Sequence, residues 1–253
     1  MKLNRHQLLR PAQYVEKSLV TAILDGTYST GTSLPNERRL AEQMGVTRPT
    51  LREILRHLAG EGWITIHHGK PTVVNDYWRE GGLSLLSTLS KYADYLPDGF
   101  TTHLLEVRLT MLPPMARRAV TFRPKVILDF LDKARNLAEN TRIYSDYDWK
   151  LQVLMARNSN NPVFSLILND FFSIFTSMAL TYFSAKKARQ ASRTYYRDLA
   201  RTIDNNPGAV EAIVERAMEQ SISIWQEVRS SSGGIRDGDK LDKTGNNITK
   251  RIN

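Results

Sequence analysis

The sequence predicts a mainly α protein of two parts: an N-terminal winged helix-turn-helix with a small β-hairpin wing, then a C-terminal all-α helical bundle. Three observations carry this. Two short helical patterns meet at Gly45-Val46 and run into an alternating Trp63-Ile64-Thr65-Ile66 segment. From about Thr101 to Arg229, apolar residues recur at three- and four-residue spacing, the period of helices with one buried face. The chain also carries a net charge of +9, with a pI of about 9.7. A balance that basic suits a polyanionic partner.

At 253 residues the chain suits about two domains, and 41% hydrophobic residues exclude wholesale disorder. It has no cysteine. Disulfide scaffolds, thiol catalysis and zinc-finger ligation are therefore excluded, and a cytoplasmic setting fits. The opening residues, MKLNRHQLLRPAQYVEKSLV, lack the apolar core and cleavage site of a signal peptide. The apolar window Pro162–Ala185 is interrupted by Asn169 and Asp170 and reads as a buried helix, not a membrane span. Composition sets the boundaries: 1–75 the winged helix, 76–100 a linker with a short helix, 101–229 the helical domain, and 230–253 a disordered tail rich in Ser, Gly, Asp and Lys.

In chain order, Glu37, Arg38 and Arg39 open a short helix whose Leu40, Ala41 and Met44 face inward, and Gly45 is placed to end it. Thr47 can cap the next helix through its hydroxyl, and Pro49 is tolerated in a first turn whose amides have no intrahelical acceptor. Leu51, Ile54, Leu55 and Leu58 then form one apolar stripe, while Arg48, Arg52 and Arg56 share another face. Such a second helix enters a major groove by its N-terminal end, where arginine can donate bidentately to guanine. Gly60-Glu61-Gly62 stops the helix. Trp63–Ile66 and Thr72–Val74 read as two strands joined by the basic turn His67-His68-Gly69-Lys70-Pro71, with Gly69 allowing close backbone approach to a phosphate or the minor groove.

The stretch LPNERRLAEQMGVTRPTLREILRHLAGEGWI resembles the DNA-binding domain of the GntR family of bacterial transcription factors. Its continuation, WITIHHGKPTVVNDYWREGGLSLLSTL, is similar to the branch of that family that regulates fatty-acid metabolism. The resemblance implies a homodimer reading a palindromic operator in double-stranded DNA. The implied contacts are Arg38, Thr47, Arg48, Thr50, Arg52, His68, Gly69 and Lys70. It implies that the bundle takes a long-chain acyl-CoA, whose binding releases the operator, with ligand positions at Arg108, Phe175, Tyr182, Tyr196, Ser221 and Trp225. Phe175 stands where that branch typically has Tyr, and Ala217-Met218 where it has a Tyr-Gly pair.

The wider family often anchors a carboxylate effector on a metal held by one Asp and three His. Here His6, His57, His67, His68 and His103 all precede the later helices, so no metal site is expected. Arg108 lies among Leu104, Leu105, Leu109 and Met111, where a charge needs a partner or a ligand; Glu106 and Asp148 are candidate partners. Asp146 and Asp148 in SDYDWK otherwise read as a solvated helix start. No nucleophile-and-base constellation points to an enzyme. The rival readings are a sequence-blind nucleic-acid binder and a GntR-type regulator of the same architecture with a different, non-metal-anchored effector.

Overall fold

The computed structural model describes residues 10–92, 95–97 and 99–231. The expected disordered tail therefore lies almost wholly outside the described residues. The chain divides into two compact units, one comprising residues to Leu96 plus Leu166–Ser177, the other Pro97–Ser165 plus Met178 onward.

In the first unit, α1 (Pro11–Leu24) packs on α3 (Arg48–Glu61), and α2 (Glu37–Met44) packs on α3 from another side. Local chemistry sets their ends. Asn36 caps α2 by accepting from the Arg39 amide at 3.0 Å, and Gly45 closes it at φ 64. Thr47 caps α3, its hydroxyl accepting from the Thr50 amide at 3.4 Å and meeting the Thr50 hydroxyl at 3.0 Å. Gly62 closes α3 at φ 93, a left-handed conformation that favours glycine. Leu51, Ile54, Leu55 and Leu58 are buried against Val15, Leu19 and Leu40 of the same core. Arg48, Arg52 and Arg56 are exposed, as their spacing requires.

The wing is shorter than its sequence suggests. Strands β1 (Ile64–Thr65) and β2 (Val73–Val74) pair antiparallel, Ile64 with Val74 and Thr65 with Val73. Trp63 stays in the ladder by its carbonyl alone, which accepts from the Asn75 amide at 3.0 Å, because its own amide donates to Leu58 O at 3.0 Å and finishes the helix. On its other edge, β2 pairs with the segment before α2: Ser33 bridges Val73, and the Leu34 amide donates to Thr72 O at 2.8 Å. The connector holds two short helices, α4 (Tyr77–Glu80) and α5 (Leu85–Leu89), where one was expected. Here backbones nearly touch: a Cβ on Gly62 would lie 2.7 Å from Gly81 Cα, and one on Gly81 2.5 Å from Tyr77 O.

Among its described residues, the regular structure of the second unit is all helical. Its elements are α6 (Phe100–Phe122), α7 (Pro124–Leu131) with a 3-10 turn to Asn136, α8 (Thr141–Asn158), the ends of α9 (Pro162–Ser184), α10 (Lys186–Asn205) and α11 (Val210–Ser231). Helix α11 packs along α6 and α10, and α6 along α8. Asn140 and Asn161 cap α8 and α9 through their side-chain oxygens. Helix α6 continues through Pro113 and Pro114, neither of which has an amide hydrogen for the helix ladder.

Helix α9 corrects the expectation of a buried helix. Among the described residues it is the one helix long and apolar enough to cross a membrane, yet only 28% of that apolar window is buried. Leu168, Phe171, Ile174, Phe175, Ala179 and Phe183 face inward, whereas Val163, Leu166 and Phe172 are more than half exposed.

Candidate functional sites

Two places in the fold collect chemistry that packing alone does not require. The first is the exposed face of the helix-turn-helix and wing. Thr47, Arg48, Arg52 and Arg38 are exposed around the α3 N-terminus, and Thr50 is half-buried by its cap. His68, Gly69 and Lys70 are exposed at the wing tip, with Gly69 at φ 68. The helix end supplies amides and a partial positive charge suited to phosphate. Arg52 is already engaged, its Nε donating to Glu37 Oε2, so a base contact from Arg52 must share that guanidinium. Arg38 has only a long exposed pair with Glu42, at 4.0 Å, which constrains it little.

Behind this face the far end of α3 is fastened. Glu61 is buried at 8% exposure, and its carboxylate accepts from Trp63 Nε1 at 3.0 Å and from the Thr88 hydroxyl of α5 at 2.7 and 2.9 Å. His57 Nε2 lies 3.4 Å away on the solvent side. Burial with the Glu16 and Glu61 charges pushes the neighbouring Tyr92 phenol up to about 12. Asn75 ties strand to helix end, donating to Gly62 O at 3.0 Å and accepting from the Thr65 hydroxyl at 2.8 Å. No pattern in the sequence marks Glu61 as a buried anchor, since it stands between two glycines that read only as a helix stop.

The second place is a polar centre inside the helical unit. Arg108 of α6 lies 3.5 Å from Asp148 of α8, so of its two candidate partners the buried one pairs with it, while Glu106 is exposed. Asp148 also accepts from Gln152 Nε2 at 2.7 Å and from the Tyr196 hydroxyl at 3.1 Å. The solvated helix start therefore applies to Asp146 alone; Asp148 is 7% exposed. The signal is present in the sequence, because Tyr144, Asp148, Leu151 and Met155 follow one inward stripe at helical spacing. Burial pushes the Asp148 carboxyl up, while Arg108, Tyr196 and Gln152 pull it back. Tyr182 and Tyr195 feel the same pair, and burial pushes both phenols well above their ordinary value.

Of the six ligand positions implied by resemblance, Arg108 and Tyr196 meet at this centre through Asp148, with Tyr182 within its field. Ser221 and Trp225 lie one turn apart on the buried side of α11, and Ser221 donates back to Met218 O at 2.7 Å. Met218 itself is buried core. Phe175 is buried too, but in the stretch of α9 that groups with the first unit. Among the described residues no three metal-ligating side chains gather.

A winged helix with an exposed basic face, followed by an all-α unit, has the architecture of a transcription regulator. Known proteins agree: residues 11–74 match the gntR family of bacterial regulatory proteins and residues 75–232 the FadR C-terminal domain. The chain is 37% identical over 223 residues to the fatty acid metabolism regulator proteins of Shewanella pealeana and Shewanella halifaxensis, covering 87% of this chain and 92% of each relative. The corresponding protein of Shewanella amazonensis is 34% identical. Among solved structures, Lar, described as controlling expression of the Listeria monocytogenes agr system, matches with a TM-score of 0.59. At 16% identity over 88% of this chain and 99% of that one, it speaks to the fold alone. The chain belongs to the GntR family and carries the FadR type of C-terminal domain. It is a transcriptional regulator of fatty-acid metabolism, and not an enzyme.

Proposed function

We propose that this regulator binds a palindromic operator as a cytoplasmic homodimer and is released from it by a long-chain acyl-CoA held in the helical unit. The observation that carries the reading is the Arg108–Asp148–Tyr196 centre in a FadR-type domain. A buried ion pair adds little net stability, so titratable groups buried together at one place are candidates for a functional site. Arg48 and Arg52 address base edges, while Thr47, Thr50, Arg38 and the His68-Gly69-Lys70 tip address phosphates or the minor groove. The acyl tail occupies apolar surface bordered by Tyr182, Ser221 and Trp225. Release then follows from linkage: a ligand that prefers a state in which the two recognition helices miss their half-sites weakens operator binding by that preference.

The test is fluorescence anisotropy at fixed salt, on a labelled duplex obtained by selecting genomic fragments with the full-length protein. Palmitoyl-CoA is expected to release the duplex, while CoA and palmitate do not. Unchanged operator affinity in saturating palmitoyl-CoA overturns acyl-CoA control and leaves a regulator of the same architecture with another effector.

A further inference from the structure

The exposed face of α3 carries three arginines, and among the described residues Arg52 is the one of them held by a carboxylate. Its Nε donates to Glu37 Oε2, joining the first turn of α2 to the second turn of α3 across 15 residues of chain. Both side chains are open to solvent, at 49% and 34% exposure, so the pair adds little to stability. What it changes is the donor set that Arg52 presents. A guanidinium has five N–H donors in a rigid fork, and it grips a pair of acceptors either by the edge holding Nε or by the end holding both Nη atoms. With Nε–H turned to Glu37, the Nη end is the one left to grip outward. The carboxylate is itself well placed, because the amides at the start of α2 favour a negative charge there.

We propose that Glu37 is a specificity-determining positioning residue for operator recognition: it aims the Nη end of Arg52 at the groove and withholds that arginine from phosphates. This rests on the reading of the helix-turn-helix face as the DNA-binding surface. An unheld arginine takes any phosphate within reach, and such contacts serve every sequence alike. Held by Glu37, Arg52 gains only where a base edge offers two acceptors in line with its Nη end, as guanine O6 and N7 do. On other DNA the pair has to break before Arg52 can take a phosphate, and Glu37 then stands uncompensated beside a polyanion. Glu37 thereby lowers binding to unrelated DNA more than binding to the operator.

The test is fluorescence anisotropy across a salt series, on the selected operator and on an unrelated duplex of equal length. The proteins are full-length wild type, Glu37→Gln, Glu37→Ala, Arg52→Ala and Glu37→Ala/Arg52→Ala, each checked for folding by far-UV circular dichroism. In Glu37→Ala the released Arg52 takes a phosphate, so the unrelated duplex should bind about tenfold tighter at about 0.1 M salt, with a salt slope steeper by about one unit. The operator should gain far less, so the ratio of operator to unrelated affinity falls by about fivefold or more. Glu37→Gln, of the same size but uncharged, should lower the ratio in the same direction. A merely structural Glu37 would weaken both duplexes together and leave the ratio alone. With Arg52 already replaced by alanine, Glu37→Ala should keep the ratio within about twofold, because loss of a lone charge moves both duplexes alike. The proposal is overturned if a folded Glu37 variant keeps the wild-type ratio, or if the ratio falls as far without Arg52. Arg52→Ala that lowers the ratio while both Glu37 variants keep it overturns the proposal and leaves the operator reading standing. Wild type with no preference for the operator overturns both.

Discussion

Glu61 shows how one side chain can decide the state of several others. Its carboxylate is the acceptor for two buried donors, Trp63 Nε1 and the Thr88 hydroxyl, on residues that are 0% and 1% exposed. Truncation to alanine leaves both donors buried and unmatched, and each unmet donor costs about 1–3 kcal/mol. Glu61→Ala is therefore expected to destabilise the protein by about 2–6 kcal/mol in urea unfolding. Thr88→Ser, which keeps the hydroxyl, should recover most of the stability that Thr88→Val loses. A Glu61→Ala loss below about 0.5 kcal/mol would show that water replaces the carboxylate and that the anchor is incidental. Asp148 is the other residue of this kind, and the two differ in what surrounds them. Glu61 meets neutral donors and a histidine at the rim, whereas Asp148 meets a guanidinium.

Elements are held together by surface networks as well as by cores, and the link between Glu139 and α10 gives a pH signature. Glu139 accepts from Arg189 Nε at 3.1 Å and lies 2.9 Å from Arg193 Nη2. The Arg189 hydrogen bond, helped by the charges of both arginines, holds its carboxyl below the usual range. A depressed folded-state value means that the contribution is complete above the ordinary carboxylate range and is lost as pH falls through the depressed value. The melting-temperature difference between wild type and Glu139→Gln should thus be largest near neutrality and shrink in acid. A difference independent of pH would remove Glu139 from the link between its loop and α10. Asp148 titrates with the opposite sign: burial raises its value, so its contribution is complete in acid and declines as pH rises through the raised value.

Elements also differ in how far the local sequence encodes them. Helices α2 and α3 are legible to their caps, because Asn36, Gly45, Thr47 and Gly62 act on amides and carbonyls within a few residues of themselves. The wing is legible as a hairpin but not in length. The Leu58 carbonyl takes the Trp63 amide, and the third chain beside β2 comes from Thr32–Leu34, a segment with no strand signal of its own. Long-range pairing leaves no local trace. In the candidate effector site Arg108 stands out as a charge among leucines, and Asp148 is separable from exposed Asp146 only by the stripe it shares with Tyr144, Leu151 and Met155. That Phe175 groups with the first unit and the other ligand positions with the second depends on tertiary contacts, which no spacing encodes.

For the whole molecule, a net charge of +9 makes operator binding a salt-dependent event. Each phosphate contact adds about −0.9 to the slope of log affinity against log salt, so Lys70→Ala should make that slope shallower by about one unit. Its loss of affinity should be nearly the same on operator and on unrelated DNA. Arg48→Ala should instead weaken the operator selectively, by about 1–3 kcal/mol if it reads a base edge. Equal effects of Arg48→Ala on both duplexes would move Arg48 from base reading to phosphate holding.

The fastening of α3 sits at the end opposite Arg48. Its 14 residues put the Thr47 cap about 20 Å from Glu61. Because Leu51, Ile54, Leu55 and Leu58 bury α3 against α1 and α2, these helices form one lever, with the Glu61–Thr88–Trp63 knot at one end and Arg48 at its working tip. A tilt of only about 5° at the pivot sweeps the tip by about 2 Å, more than the whole distance range over which a hydrogen bond survives. For the proposed release from DNA, a small turn of α5 against the knot is mechanically sufficient, with no unfolding or wide opening.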